Sequence, residues 1–434
     1  MTDLLALPDD ALVRVLALLP PRQLFSLRLM CRRLRDLCLH PNAWRSIRLR
    51  GYPKGLLKAT LRLAPCLHKI RLPSSNLQAA ACAISNTKCV VTKLELAVQT
   101  EFEVAWATAI VLKFSALGGL RKISLELFPG APDALPPLLR MVYSVQDLRV
   151  LYVWDYSDAE LPPSVWSDLE PRPSLTKLKY EGAPFSFLCL LLETHAATLE
   201  EIVLFVDELP TSRLGMMPRL RSLACRPSDD LSQLKSLSSL ETLELYVFSE
   251  ENVCFPGAEE FLLQGPSLRS VSFVSYSSCR VPSSSLLWAL AKSPSAPVLE
   301  RLSLCGVEDV LVAAAIPRFS SLQALTLELD AVPSDDFFRA VSPASTPHLA
   351  TLELWPHGCP HAMLHDPAVQ DVLVKNAGLH LRLLHTPSLK DDCACRWCIW
   401  RCHQHELRTH GGLRSAFSAH RRRPGCPRDC RRWP

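Results

Sequence analysis

The sequence predicts an α/β solenoid, with short parallel strands on one face and short helices on the other, behind a small helical head. Three observations carry this. A phrase of constant spacing recurs with changing letters: RPSLTKLKYE from Arg172, GPSLRSVSFV from Gly265, APVLERLSLC from Ala296 and TPHLATLELW from Thr346. Proline is abundant, 35 against 15 glycines, and must sit mostly in connections, because inside a helix it removes a hydrogen bond and clashes with the preceding turn. The first forty-nine residues do not share the phrase and follow a helical period instead.

Aligned, the phrases give a template: leucine, two variable residues, an aliphatic, one variable residue, another apolar residue. It fits with Leu67, Val91, Leu120, Leu148, Leu175, Leu199, Leu220, Leu240, Leu268, Leu299, Leu322 and Leu349 in first position, at intervals of 20 to 31 residues averaging close to 26. That period and template are the signature of leucine-rich repeats, so the fold expected is a leucine-rich-repeat solenoid. Apolar residues at positions four and six alternate with variable ones, the period of a half-buried strand. One such strand cannot bury its face alone, whereas a stack ~4.8 Å apart forms a continuous core. The return path leaves room for one short outer helix, as in SSSLLWALAKS from Ser283, with Leu286, Leu287, Leu290 and Ala291 on one side. Pro65, Pro173, Pro218, Pro266, Pro297 and Pro347 each stand two residues before a first-position leucine and stop the returning helix. Position nine carries no asparagine ladder, so the array is expected to be irregular and held by packing more than by side-chain hydrogen bonds.

In the opening segment, Pro8 and Asp9 start a helix with Asp9 and Asp10 at its positive end, and Leu12, Val15, Leu16 and Leu19 follow at helical spacing. Pro20 and Pro21 end it. Leu24, Leu27, Cys31 and Leu34 mark two further short helices, and His40-Pro41-Asn42 makes a turn before Trp44. Three helices over about 40 residues cannot bury a full core unaided, which leaves several leucines for a partner. The segment resembles an F-box, through Leu7-Pro8-Asp9-Asp10 with Leu12, Val15-Leu16, the paired prolines before Leu24, Cys31-Arg32-Arg33, and Trp44-Arg45-Ser46-Ile47. It departs from the family at Leu34, where Trp is frequent. The resemblance implies binding to the Skp adaptor, and through it to cullin and RING subunits, with Leu7, Pro8, Leu12, Leu16, Leu24 and Leu27 facing the adaptor. The domains expected are an F-box at 1–43, repeats over 44–388 in about 13 units, and a tail at 389–434. Trp44 to Leu49 already fits the repeat template, 23 residues before Leu67. Head and repeats are therefore expected to form one rigid body.

On such repeats the exposed strand residues line the inner, concave surface. Position seven carries Trp154, Phe205, Tyr246 and Trp355 among twelve residues, in a chain that is 7% aromatic. Grouped exposed aromatics are what protein interfaces use as anchors. With Tyr152 and Glu244 at position five, they form the candidate substrate surface, for a protein whose identity the sequence does not specify.

The formal charge of +5 hides an asymmetry: Cys393 to Pro434 carries ten arginines against Glu406 and Asp429, a net +8, which leaves −3 for the rest. That tail packs four cysteines and three histidines between Cys393 and His410. Cys395, Cys398, Cys402 and His403 have spacings compatible with tetrahedral zinc, but no known finger pattern fits. The tail is read as a disordered basic segment, able to touch acidic partners or nucleic acid only non-specifically, or as a stretch the native protein lacks; nucleic acid is not expected as a partner, and no cofactor is assigned. There is no secretory leader and no apolar run of membrane length, so a cytoplasmic or nuclear, non-membrane protein with reduced thiols is expected; its 17 cysteines cannot all pair within the chain. No phosphate-cradling glycine loop, HExxH pair or nucleophile elbow is found. The expected function is a non-catalytic adaptor of a ubiquitin ligase; the rival is a repeat scaffold with a zinc- or nucleic-acid-binding tail. Replacing Trp154 and Tyr246 with Ala is expected to abolish substrate capture in a pull-down while adaptor binding survives.

Overall fold

The structure, a computed structural model, describes residues 4–51, 53–130, 134–156, 161–182, 185–247, 255–275, 283–329, 332–356, 363, 365–376, 378–385 and 415–419. The chain forms two compact units, Met1–Arg219 and Leu220–Pro434. The division falls within the repeats, so the helical head belongs to the first unit.

The head comprises α1 (Asp9–Leu16), α2 (Pro21–Leu27), α3 (Arg32–Leu37) and α4 (Pro41–Trp44). Pro21 and Pro41 open their helices at the first turn, where a missing N–H costs nothing. Leu12, Leu16, Leu24, Leu34, Cys38, Ala43 and Trp44 are buried together. The Trp44 indole donates to the Cys38 carbonyl at 2.6 Å, and its ring lies 5.5 Å from that of Phe25. The Arg33 guanidinium ties α3 to the start of the chain, donating to Asp9 and to the Leu5 and Leu7 carbonyls at 2.5–2.9 Å.

The first unit continues with β1 (Arg48–Leu49), α5 (Lys54–Leu63), β2 (Cys66–Leu72), α6 (Ser74–Ile84), β3 (Val90–Val98), α7 (Glu101–Ala116), β4 (Lys122–Leu127), α8 (Leu135–Tyr143), β5 (Val150–Asp155), β6 (Lys177–Gly182), α9 (Phe185–His195), β7 (Glu201–Phe205) and α10 (Thr211–Leu214). β1 to β7 pair in sequence order, all parallel. Helices α5 to α8 pack each on the next. Helix α7 starts at a capping box, Thr100 and Glu103 each satisfying the other's main chain. Among the described residues, the crossover between β5 and β6 carries a 3-10 turn at Pro163–Trp166.

The second unit contains β8 (Ser222–Cys225), β9 (Thr242–Val247), α11 (Pro256–Gln264), β10 (Ser270–Ser275), α12 (Ser283–Ala291), β11 (Arg301–Cys305), α13 (Asp309–Ala315), β12 (Ala324–Leu329), α14 (Asp335–Ala340), β13 (Thr351–Pro356), α15 (Pro367–Lys375), β14 (His380–His385) and β15 (Ser415–Ala419). β8 to β14 are again parallel neighbours in order. β15 pairs antiparallel with β14. Within the span read as the tail, Ser415–Ala419 forms this strand. The reason is physical: the last strand of a parallel stack presents unpaired N–H and C=O groups, and a short segment rich in small residues satisfies them.

All twelve first-position residues of the template are buried, as are its fourth and sixth positions from Ile70 and Leu72 to Leu352 and Leu354. Each unit is a leucine-rich-repeat solenoid. The sequence register is wrong at one place: β1 pairs Leu49 with Ile70, so Leu49 occupies position four rather than six. A two-residue shift preserves which face is buried, and it frees Trp44 to fill the head.

Two features replace the asparagine ladder. The N–H at position two donates to the position-two carbonyl of the preceding repeat, as in Arg149 to Arg121, Thr176 to Arg149 and Glu200 to Thr176, all at 2.9 Å, and Arg269 to Glu241 and Gln323 to Glu300 at 2.8 Å. Hydroxyls just before the first leucine add a second set: Ser174 to Leu148 and Thr198 to Leu175 in the first unit, Ser239 to Leu220 and Ser321 to Pro297 in the second.

One buried histidine joins this framework. His195, at the end of α9, is 4% exposed and its Nδ1 accepts the Ser174 and Leu175 N–H groups at 3.1 and 3.4 Å. Burial pushes its pKa down to about 4, so it is neutral at pH 7. The unfolded chain takes up this proton near pH 6.5, so the stabilisation is complete above that pH and is lost as pH falls through about 4. His195→Gln retains an acceptor without the titration. Its stability relative to wild type is expected to fall by about 3 kcal/mol between pH 4 and 6.5, read as the difference in denaturation midpoints.

Candidate functional site

The head presents apolar side chains that its own core does not cover. Leu18, Leu29 and Met30 are 84%, 83% and 74% exposed, and Leu5, Leu7 and Val15 are exposed to a lesser degree. Leu29 and Met30 form the turn between α2 and α3, and Arg33 in α3 fastens the segment bearing Leu5 and Leu7 nearby. Of the six positions implied by the F-box resemblance, Leu7 and Pro8 are exposed and Leu27 is half-buried. Leu12, Leu16 and Leu24 are at 1%, 3% and 0% exposure. These three hold the head together and do not face outward. Helical spacing marks a residue as apolar but cannot say whether a neighbouring helix already covers it.

The junction has no slack. Within the first unit, the Ile47 carbonyl accepts the His68 and Lys69 N–H groups at 3.0 and 3.3 Å. The Ser46 hydroxyl donates to the Ala17 carbonyl at 3.3 Å, and the Cys66 thiol contacts the Pro41 carbonyl at 3.4 Å. Helix α4 packs on both α1 and β2.

On the strand face of the first unit, parallel register stacks equivalent positions into columns. Position three reads Arg48, Lys69, Lys93, Lys122, Val150, Lys177 and Glu201 from β1 to β7. Position five reads Arg71, Glu95, Ser124, Tyr152, Lys179 and Val203, and position seven Ala97, Glu126, Trp154, Glu181 and Phe205. Lys69 pairs with Glu95 at 2.5 Å, Arg71 with Glu126 at 3.2 Å and Lys177 with Glu201. Lys93 and Lys122 form no ion pair among the described residues. The Lys122 ammonium instead lies 3.6 Å from the centre of the Tyr152 ring, within cation–π range. Burial and the neighbouring Lys93 charge lower its pKa to about 8, with Glu95 opposing.

Tyr152 and Trp154 meet edge-on with centroids 5.7 Å apart. The Lys179 ammonium lies 5.5 Å from the Trp154 ring and 5.1 Å from Phe205. Tyr152 and Trp154 are half-buried on this face, whereas Phe205 is only 7% exposed. The first unit thus brings three of the predicted substrate residues into one aromatic–lysine cluster. Sequence reading missed the position-three lysines, although the letters Lys69, Lys93, Lys122 and Lys177 occupy the same template place.

In the second unit, Glu244, Tyr246 and Trp355 are half-buried. Glu244 and Tyr246 share β9, but β10, β11 and β12 separate them from Trp355 on β13, roughly 19 Å at strand spacing. Trp355 stacks beside Glu328 in the register and donates its indole N–H to Glu353 at 3.1 Å. This face also carries Ser222, Ser270, Ser272, Ser303 and Thr326, with Arg301, Glu328, Glu353 and Arg382 as further charged members.

Cys395, Cys398, Cys402 and His403 lie outside the described residues. Among the described residues, no three His, Cys, Asp or Glu are grouped to hold a metal ion, and no helix is long and apolar enough to cross a membrane. Among the described residues eight cysteines are free thiols, including the buried Cys38, Cys89 and Cys225; burial pushes Cys89 and Cys225 up to about 12, which keeps them protonated and unreactive.

Comparison with known proteins agrees with the head. Residues 4–46 match the F-box domain family. No curated protein matches the chain. Among solved structures, the chain is similar to the Rad7 and Elc1 complex in yeast, at 14% identity over 80% of this chain and 84% of that one, with a TM-score of 0.42. It is also similar to an LRR protein of Leptospira interrogans, at 14% identity over 71% of this chain and 94% of the other, with a TM-score of 0.25. The protein therefore carries an F-box domain built into the start of a leucine-rich-repeat array.

Proposed function

We propose that this protein is the non-catalytic substrate-recognition subunit of a Skp-cullin-F-box ubiquitin ligase. The F-box docks the Skp adaptor, which brings cullin and RING subunits, and the repeats hold the protein to be ubiquitinated. The observation that carries this reading is the head itself: an F-box with uncovered Leu18, Leu29 and Met30, hydrogen-bonded directly to the first strands. A ligase of this design does its work by proximity, because the target lysine must be kept near the charged ubiquitin carrier. A head fixed to the repeats serves that need. The substrate contacts proposed are Tyr152, Trp154 and Phe205 in the first unit and Glu244, Tyr246 and Trp355 in the second. The cytoplasm or nucleus is the compartment this role requires.

Co-purification with Skp tests the proposal. A Leu29→Asp, Met30→Asp double variant is expected to lose Skp while its thermal midpoint stays near wild type, because surface changes typically cost within about 0.5 kcal/mol. Leu24→Ala is expected to cost about 2–5 kcal/mol by opening a cavity in the head, a loss visible in the midpoint before any partner is added. Wild-type protein that never recovers Skp sinks the reading.

A further inference from the structure

The proposed function leaves the chemistry of the target open, and the strand face of the first unit narrows it. From the geometry of that face we infer that it captures an extended acidic segment of the target protein. The segment runs across the strands along Arg48, Lys69, Lys93, Lys122 and Lys177, with an apolar side chain set against Tyr152 and Trp154. This rests on the substrate-recognition reading given above.

Four features support the inference. Basic residues occupy position three on β1, β2, β3 and β4 without a break, at a spacing of ~4.8 Å. Stacking like charges so closely opposes folding; Lys69 is offset by Glu95 and Lys122 lies over Tyr152, whereas Lys93 forms no ion pair among the described residues. Next, the face carries seven basic against four acidic side chains, and the acids lie mainly along the other columns, at Glu95, Glu126 and Glu181. Third, Lys93 and Lys122 form no ion pair among the described residues, and Lys122 is held to about 8 chiefly by burial and by Lys93, with Glu95 offsetting only part of this. A ligand carboxylate placed between them supplies the missing counter-charge. Finally, the aromatic pair Tyr152 and Trp154 stands beside the column and carries cations on its faces, giving an apolar anchor next to the charged track.

A polypeptide suits this mosaic better than a nucleic acid. A continuous polyanion would meet Glu95, Glu126, Glu181 and Glu201, while a peptide can space its carboxylates and offer an apolar residue between them. From β1 to β6 the column spans about 24 Å, which an extended chain covers in about seven or eight residues.

Fluorescence anisotropy on the full-length protein tests this with a labelled peptide of about ten residues, alternating Glu and Ser around one central Leu. The controls are the same peptide with Gln for Glu and a labelled oligo-dT of about ten nucleotides. The Glu peptide is expected to bind at least about tenfold tighter than the Gln peptide, and to weaken steeply as salt rises from about 0.05 M to about 0.5 M. Lys93→Gln with Lys122→Gln is expected to weaken it at least about tenfold without lowering the thermal midpoint; Tyr152→Ala is expected to weaken both peptides. Absence of binding, equal binding of the Glu and Gln peptides, or an unchanged affinity in the lysine variant overturns the inference. Tighter binding of oligo-dT overturns it in favour of nucleic acid. Skp recovery scored on the same preparations separates this result from the adaptor question, since the peptide assay does not need Skp.

Discussion

Everything in either unit depends on parallel main-chain pairing that advances one strand per repeat without slipping. Each repeat closes on the last through the strand ladder and through a further bond from the position-two N–H to the preceding position-two carbonyl. Satisfying these groups is obligatory once they leave water, and the same bond recurs although repeat length varies from 20 to 31 residues. The variation is absorbed outside the strands, in returns that carry helices such as α7 and α11 or 3-10 turns such as Asp229–Leu234. A fixed register with variable crossovers is what turns a position in the template into a column in space.

Columns are where chemistry enters. A lysine at position three of one repeat is an ordinary surface residue; four cations in register are an electrostatic feature. The close approach of neighbouring strands also explains a particular glycine. Gly182 ends β6 with φ +89°, and a Cβ there would lie 1.8 Å from the Asp155 carbonyl oxygen. No other residue fits beside β5 at that level, next to Trp154.

The head reverses the usual relation between a small domain and its neighbours. Its core is closed by Trp44, the last residue of α4, whose indole bonds to the Cys38 carbonyl. Closing the core this way buries Leu12, Leu16 and Leu24 and leaves the turn residues Leu29 and Met30 outside. The same Trp44 leads straight into β1, so the packing that completes the head also sets where the first strand begins.

The solenoid was legible because its signals are local. Alternation at positions four and six needs no knowledge of distant residues, and prolines before the first leucines mark the same boundary each time. The F-box was legible for a similar reason, through short motifs in a fixed order. What depended on tertiary structure was every question of cover and register. Helical period cannot tell that Leu24 is enclosed and Leu29 is not, because enclosure is decided by how the helices of the head pack and not by spacing along one of them. Nor could it place Leu49 opposite Ile70, show Phe205 nearly covered, or set Trp355 apart from Tyr246. The sequence alone determined which residues are apolar and how they repeat; the folded chain decided which of them meet, since contact between strands is a property of their alignment and not of any single repeat.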